Sequence, residues 1–275
     1  MPMALVAGVA FLVIAWLVAQ PFLERRRRDA LRARPFPAAW EAILAHRVAH
    51  VRRLPADLQS QLRSHIQVFI GEKDFFGCDG IKVTDEMRVT IAAQACLLLL
   101  NRRTDFFPNL REILVYPGAF IVDRIRAEPS GVLQEQRQVL SGESWARGQV
   151  IVSWQDALEG ATVADDGRNV VIHEFAHQLD QEKGYANGAP HLPGRARYGR
   201  WSHVLTREFA RLQYEAALQL PSLFSYYGAS APAEFFAVAT EVFFERGALM
   251  VAGYPDLYAE LRDLYRVDTA LWKAE

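Results

Sequence analysis

Cysteine is nearly absent from this chain: 2 in 275 residues, Cys78 and Cys96. Neither has the spacing of a metal ligand, and two such residues cannot build a disulfide framework, which fits a reducing compartment. Cys96 stands among Ala and Leu and reads as a buried free thiol. A large net charge is missing as well. The chain sums to −1; residues 22–34 hold six Arg against Glu24 and Asp29, a local +4, so residues 35–275 sum to about −5 (−1 minus +4). A body that acidic excludes a general nucleic-acid binder, and no direct nucleic-acid partner is expected. Repeats and low-complexity tracts are missing too. Roughly 240 residues after the first segment are enough for one sizeable core.

Residues 1–21 contain no charged side chain, and Met3 to Ala19 is continuously apolar. With Phe22 and Leu23 the stretch reaches the roughly 20 residues that cross a bilayer. A secretory signal carries positive charge before its apolar run. Here the charge follows, at Arg25, Arg26, Arg27, Arg28, Arg32 and Arg34. The expectation is a transmembrane anchor over 1–23, contacting lipid through residues 3–20. A basic juxtamembrane linker over 24–38 and a body over 39–275 follow. The position of the arginines puts that body in the cytoplasm, on a bacterial inner membrane.

Residues 173–177 read His-Glu-Phe-Ala-His within the apolar run that starts at Val170. Residues four apart on a helix share a face. His173 and His177 therefore aim at one metal ion, with Glu174 one step round, placed to act on a water without ligating. Zinc, one ion per chain, suits two neutral imidazoles and a carboxylate and keeps a coordination position open.

A third ligand must come from elsewhere. One zinc-protease pattern continues with Gly three and His six residues after the second His; Asp180 and Lys183 occupy those positions and exclude it. Glu208 and Glu215 lie among Arg and Gln and read as a solvated face. Glu234 lies in Pro-Ala-Glu-Phe-Phe-Ala-Val-Ala-Thr-Glu-Val-Phe-Phe, a helix apolar nearly all round and so buried. A buried carboxylate needs a cation or donors, so Glu234 is the expected ligand. Glu241, seven residues on, is either a partner of a ligating histidine or a structural ion pair. Asp180 shares the histidine face and is either such a partner or a surface residue.

The rest of the body reads as helices with a small sheet. Ala38–His50, Pro55–Ile70, Met87–Asn101, Trp201–Leu218 and Pro255–Lys273 have helical periodicity, with Thr84 as an N-cap. Gly71–Gly80 reads as a loop. Glu112–Tyr116, Ala119–Val122, Val132–Leu140 and Gln149–Trp154 read as strands. If Gln149–Trp154 is an edge strand beside the metal, Val150 and Val152 bind an extended peptide by strand addition. His191 and His203 read as surface residues.

Three sets of motifs now resemble one family. They are His-Glu-Phe-Ala-His-Gln-Leu-Asp (173–180), Tyr-Gly-Ala-Ser-Ala-Pro-Ala-Glu-Phe-Phe-Ala-Val (227–238), and, upstream, Thr84–Cys96, Ile113–Pro117 and Ser141–Trp145. Together they resemble the Mlc titration factor A (MtfA-like) zinc peptidases of bacteria over roughly residues 40–265. The resemblance implies an α+β, zincin-like fold, mainly helical with a small mixed sheet. It implies zinc bound by His173, His177 and Glu234, Glu174 as general base, and Tyr227 as transition-state stabiliser. Tyr226 is adjacent, so a register one residue earlier stays open. It also implies peptide or protein substrates and permits a second role, sequestering a transcriptional repressor.

Overall fold

The computed structural model describes residues 2–102, 105–127, 133–140, 142–145, 148–182 and 184–272, with backbone alone for residues 2–10, 12 and those between 120 and 145. The first helix, α1 (Pro2–Arg32), continues without a break through the basic stretch read as a linker. Its last turns rest on the body. Arg28 pairs with Glu72 at 2.7 Å and Asp105 at 3.1 Å, and Arg27 donates to the Gly71 carbonyl. Among the described residues no helix is long and apolar enough to cross a membrane. Much of the expected anchor, residues 2–10 and 12, lies outside those whose side chains are described.

The helix expected over Ala38–His50 is two, α2 (Ala38–Arg47) and α3 (Ala49–Arg53), broken at Val48 in extended backbone. Next come α4 (Ala56–Glu72), a short strand β1 (Asp74–Gly77) inside the expected loop, and α5 (Asp85–Leu97). The Thr84 hydroxyl caps α5 by accepting from the Met87 N–H at 3.3 Å. The Ala-rich face of α5 is fully buried against α2 and α4 and against two later helices. Both cysteines are free thiols, Cys96 buried.

The strands are β2 (Glu112–Tyr116), β3 (Phe120–Ala127), β4 (Leu133–Leu140), β5 (Gly142–Trp145) and β6 (Gln149–Ser153). One mixed sheet has the order β1-β2-β6-β5, parallel except for β5, while β3 and β4 form an antiparallel hairpin. This overturns one expectation. β6 is not an edge: Glu112–Tyr116 pairs along one side and Gly142–Trp145 along the other. Val150 and Val152 are 0% exposed and belong to the core. Neither can receive a peptide by strand addition, because every ladder position beside them is taken. Among the described residues the two edges of this sheet are β1 and β5, and β5 is the one that packs against α7.

After the sheet come α6 (Trp154–Thr162), α7 (Val170–Asp180), α8 (Arg195–Ala217), a single 3-10 turn (Tyr226–Ala229), α9 (Pro232–Glu245), α10 (Gly247–Gly253) and α11 (Pro255–Tyr265). Phe175 of α7 meets Phe107 and Phe69 at ring distances of 4.9 and 5.6 Å, fixing α7 against the body below its ligating face. The expected final helix stops at Tyr265, where Arg266 takes a left-handed φ of 58°. Leu257, Leu261 and Leu264 are buried, as their spacing requires.

Candidate metal centre

Helix α7 starts at Asn169, whose side-chain oxygen accepts from the Ile172 N–H at 3.0 Å and whose amide donates to the Gly160 carbonyl at 2.8 Å. The cap fixes the phase of α7, so His173 and His177 fall on one face one turn apart, with ring centroids 4.9 Å from each other. Facing them is the first turn of α9. Glu234 Oε2 lies 3.1 Å from His173 Nε2 and 3.3 Å from His177 Nε2. One ligand atom from each of the three lies within 4.8 Å of the others.

Glu241, two turns along α9, touches α7 twice. Its Oε1 lies 2.7 Å from His173 Nδ1 and its Oε2 accepts the Asn169 N–H at 2.5 Å. With Nδ1 directed to Glu241, Nε2 is the ring atom turned toward Glu234. Glu241 thus contacts His173 directly, and no arginine or lysine pairs with it among the described residues. Glu245, one turn further, was missed from the sequence. It accepts the N–H groups of Gly167 and Arg168 at 2.9 and 3.0 Å and the Asn169 amide at 3.1 Å. The sign of it was there: α9 runs one residue past the apolar stretch, and Glu245 is four residues after Glu241. A single helix face thus supplies a carboxylate facing both imidazoles, a partner for His173 and an anchor for the start of α7.

The electrostatics suit a cation. Burial alone would keep His173 neutral, yet Glu241 and then Glu234 beside it hold its pKa well above the ordinary value. Burial likewise opposes ionisation of Glu234, but the two imidazoles hold its carboxyl well below the usual range. The point where the three side-chain atoms converge therefore favours positive charge. Two nitrogens and a carboxylate oxygen are the donor set of a zinc site with a coordination position to spare.

Asp180 does not reach a histidine ring with its hydrogen bonds. Its two oxygens accept the N–H groups of Gly188 and Ala189, at 2.7 and 3.0 Å, so it closes the loop after α7. Trp201 donates to the Gly188 carbonyl at 2.9 Å. Gly188 has φ 79°, and a Cβ there would stand 2.5 Å from the Pro232 carbonyl oxygen at the start of α9. Gly188→Ala is therefore expected to lower stability by at least about 1–3 kcal/mol from the backbone strain alone, read as a fall in the urea midpoint without a change in slope.

Glu174 is buried, 5% exposed, next to His173 on α7. Tyr227 is 49% exposed, and its ring centroid lies 5.8 Å from that of His173. Tyr226 instead donates its hydroxyl to the Leu220 carbonyl, so Tyr227 is the tyrosine of the pair whose ring lies, tilted, beside His173. Glu208 and Glu215 are not solvated as expected. Both are buried, and they pair with Arg207 and Arg211 along α8, away from the centre. His203 is exposed on α8, and His191 lines a cavity of about 340 Å³ with Asp180, Tyr185 and Tyr198.

A helix-borne pair of imidazoles completed by a carboxylate from a second helix, with a further buried glutamate inside the pair, is the arrangement of a metallopeptidase centre. The family model described as glucose-regulated metallo-peptidase M90 matches residues 22–266. The chain belongs to that family, the MtfA-like metallopeptidases. It is 40% identical to the uncharacterized protein slr2042 of Synechocystis sp. over 266 residues, covering 96% of this chain and 97% of that one. It is 34% identical to Mlc titration factor A of Klebsiella pneumoniae over 232 residues, 83% of this chain and 86% of that one. With Mlc titration factor A of Escherichia coli it shares 32% over 213 residues, 76% of this chain and 79% of that one.

Glu241 also gives a sharp test of the centre. Each of its oxygens accepts one N–H, and an amide has a single acceptor oxygen. Glu241→Gln must set an NH₂ against one of those donors. Zinc affinity is expected to fall roughly 10–100-fold, measured by competition with a chromophoric chelator.

Proposed function

We propose that the protein is a zinc-dependent peptidase of zincin type that cleaves peptide bonds with an activated water. The observation that carries this reading is the convergence of His173, His177 and Glu234 beside a buried glutamate that is not among the ligating atoms. A zinc ion held by those three residues supplies Lewis acidity, which brings the pKa of a water toward neutrality and polarises a carbonyl. Glu174 takes the proton from the attacking water and passes it to the leaving amine nitrogen. The Tyr227 phenol donates to the carbonyl oxygen as negative charge grows on it. Glu241 keeps His173 in the tautomer and orientation that the centre requires. An extended substrate adds to the unpaired side of β5, which packs against α7. Cleavage of a mixed peptide library, before and after chelation and after zinc is restored, tests the assignment. Cleavage untouched by complete metal removal would refute it.

The chain is also proposed to be tethered to the inner membrane by α1, with its body in the cytoplasm. Support comes from the exposed apolar side chains of that helix, among them Phe11, Ile14, Trp16 and Leu23, and from the arginines that follow them. Carbonate-washed membranes should retain the full chain; recovery in the soluble fraction removes the tether.

The names of the Mlc titration factors favour a second role for this chain, capture of a regulatory protein. A pull-down comparing wild type with Glu174→Gln separates the two. Capture that ignores the substitution, with no peptide of the library cleaved, leaves titration as the function.

A further inference from the structure

A cavity of about 1030 Å³ opens where the basic end of α1 meets the body. Arg25, Arg27, Arg28 and Arg32 line its helix wall, and Lys73, Arg102 and Arg111 its body wall. Three carboxylates face these seven cations: Glu24, Glu72 and Asp105, an excess of four positive charges (seven minus three). Two of the three are committed to one residue, since Glu72 and Asp105 both pair with Arg28. Glu24 accepts from Gln20 at 3.3 Å.

Arg32 pairs with Asp29, outside the lining, at 3.1 Å, and the remaining cations have neutral partners or, among the described residues, none. Arg27 donates to the Gly71 carbonyl at 2.7 Å. The buried Lys73 ammonium donates to the carbonyls of Phe107 and Leu110, at 2.9 and 2.7 Å. Arg102 donates to the Leu98 carbonyl at 3.4 Å and sits 6.0 Å from the Tyr265 ring centroid. Among the described residues Arg25 and Arg111 have no carboxylate partner. The titration behaviour agrees. Burial pushes Lys73 down to about 8, and Glu72 does not fully offset it. Burial lowers Arg102 too, and burial with Arg32 nearby takes His65, on the same lining, to about 4. These are the signs of a charge cluster short of anions.

We propose that this cavity is a binding site for a phosphate group, carried by an anionic lipid headgroup or by a soluble phosphate compound. Guanidinium groups converging from two walls match the several acceptor oxygens of a phosphate, where a single carboxylate would satisfy only part of the set. The lining starts at Pro21, level with the last exposed apolar side chains of α1, Phe22 and Leu23. A lipid headgroup beside a membrane-seated α1 would lie at that height. That source rests on the tether proposed above; the phosphate site does not.

The test titrates the full-length, zinc-loaded protein in uncharged detergent with two probes, inorganic phosphate and dihexanoyl-phosphatidylglycerol, by calorimetry. Saturable binding of one equivalent of at least one probe is expected. It should weaken at least tenfold in the double variant Arg25→Gln/Arg111→Gln. The double variant Arg26→Gln/Arg34→Gln, which removes the same charge from residues outside the lining, should bind as wild type does. Binding of the lipid alone identifies a headgroup site. Binding of inorganic phosphate shows that a soluble source suffices, whatever the carbonate wash reports about the tether. Failure of both probes to saturate on wild type overturns the site, and so does equal weakening in the two variants, which would mean a diffuse basic surface.

Discussion

Glu174→Gln is expected to lower peptide cleavage by roughly 10²–10⁴-fold while leaving one equivalent of zinc bound. The two outcomes separate because the residue stands next to the ligands without being one of them. His173, His177 and Glu234 supply the converging atoms, and a glutamine at 174 keeps the size of the side chain and the polar contacts of its carbonyl oxygen. What it loses is basicity: an amide cannot take a proton from water near neutral pH. The side chain is almost wholly buried, so bulk water does not readily replace it as base. The readout is kcat for the best substrate of the library together with metal content by mass spectrometry. Wild-type turnover in the variant would assign the proton transfer elsewhere. Loss of zinc along with activity would mean that Glu174 supports the site rather than the reaction.

How legible the centre was depends on the range of the interactions that build it. His173, Glu174 and His177 are set by the 3.6-residue period alone, so five consecutive positions in the sequence carry them. Glu234 was legible for a different reason: a carboxylate inside an apolar helix demands a charge partner, and only a helix with spare donors offers one. Glu241 followed from its two-turn offset, although the choice between its two roles needed the 2.7 Å approach to His173 Nδ1. Asp180 shows the limit. Its helical phase put it on the ligating face, but the Gly188 and Ala189 amides come back through a loop whose path no local pattern encodes. Strand order is similarly hidden. A five-residue run such as Gln149–Ser153 looks the same at the edge or in the middle of a sheet, and the neighbour that fills its second side, β5, is only four residues long. The sequence of β1, Asp-Phe-Phe-Gly, reads as loop because it shows no alternation; the parallel pairing with β2 makes it a strand. Glu208 and Glu215 were judged solvated from their Arg-rich surroundings, whereas those arginines cover them and allow their burial.

Glu234→Ala is expected to abolish zinc binding at micromolar metal and with it all peptide cleavage. Of the three converging side chains it is the one from α9, so an ion bound there would also be coupled to the packing of α9 on α7. In wild type, a ligand present at a thousand times its Kd stabilises the fold by about 4 kcal/mol. For a body of this size that is on the order of a 10 °C rise in Tm when zinc is added to the chelated protein. In Glu234→Ala the rise should vanish, because two imidazoles on one helix do not retain the ion at that concentration. Glu174→Gln should keep it in full. The metal-free variant should not be much less stable than metal-free wild type: Glu234 lies at the start of α9 with its side chain part-exposed, and the bonds of Glu241 and Glu245 to the start of α7 remain. The comparison therefore isolates the metal from the scaffold. A zinc-dependent shift in Glu234→Ala equal to that of wild type would take Glu234 out of the ligand set, and no other acidic group among the described residues stands close enough to both imidazoles to replace it.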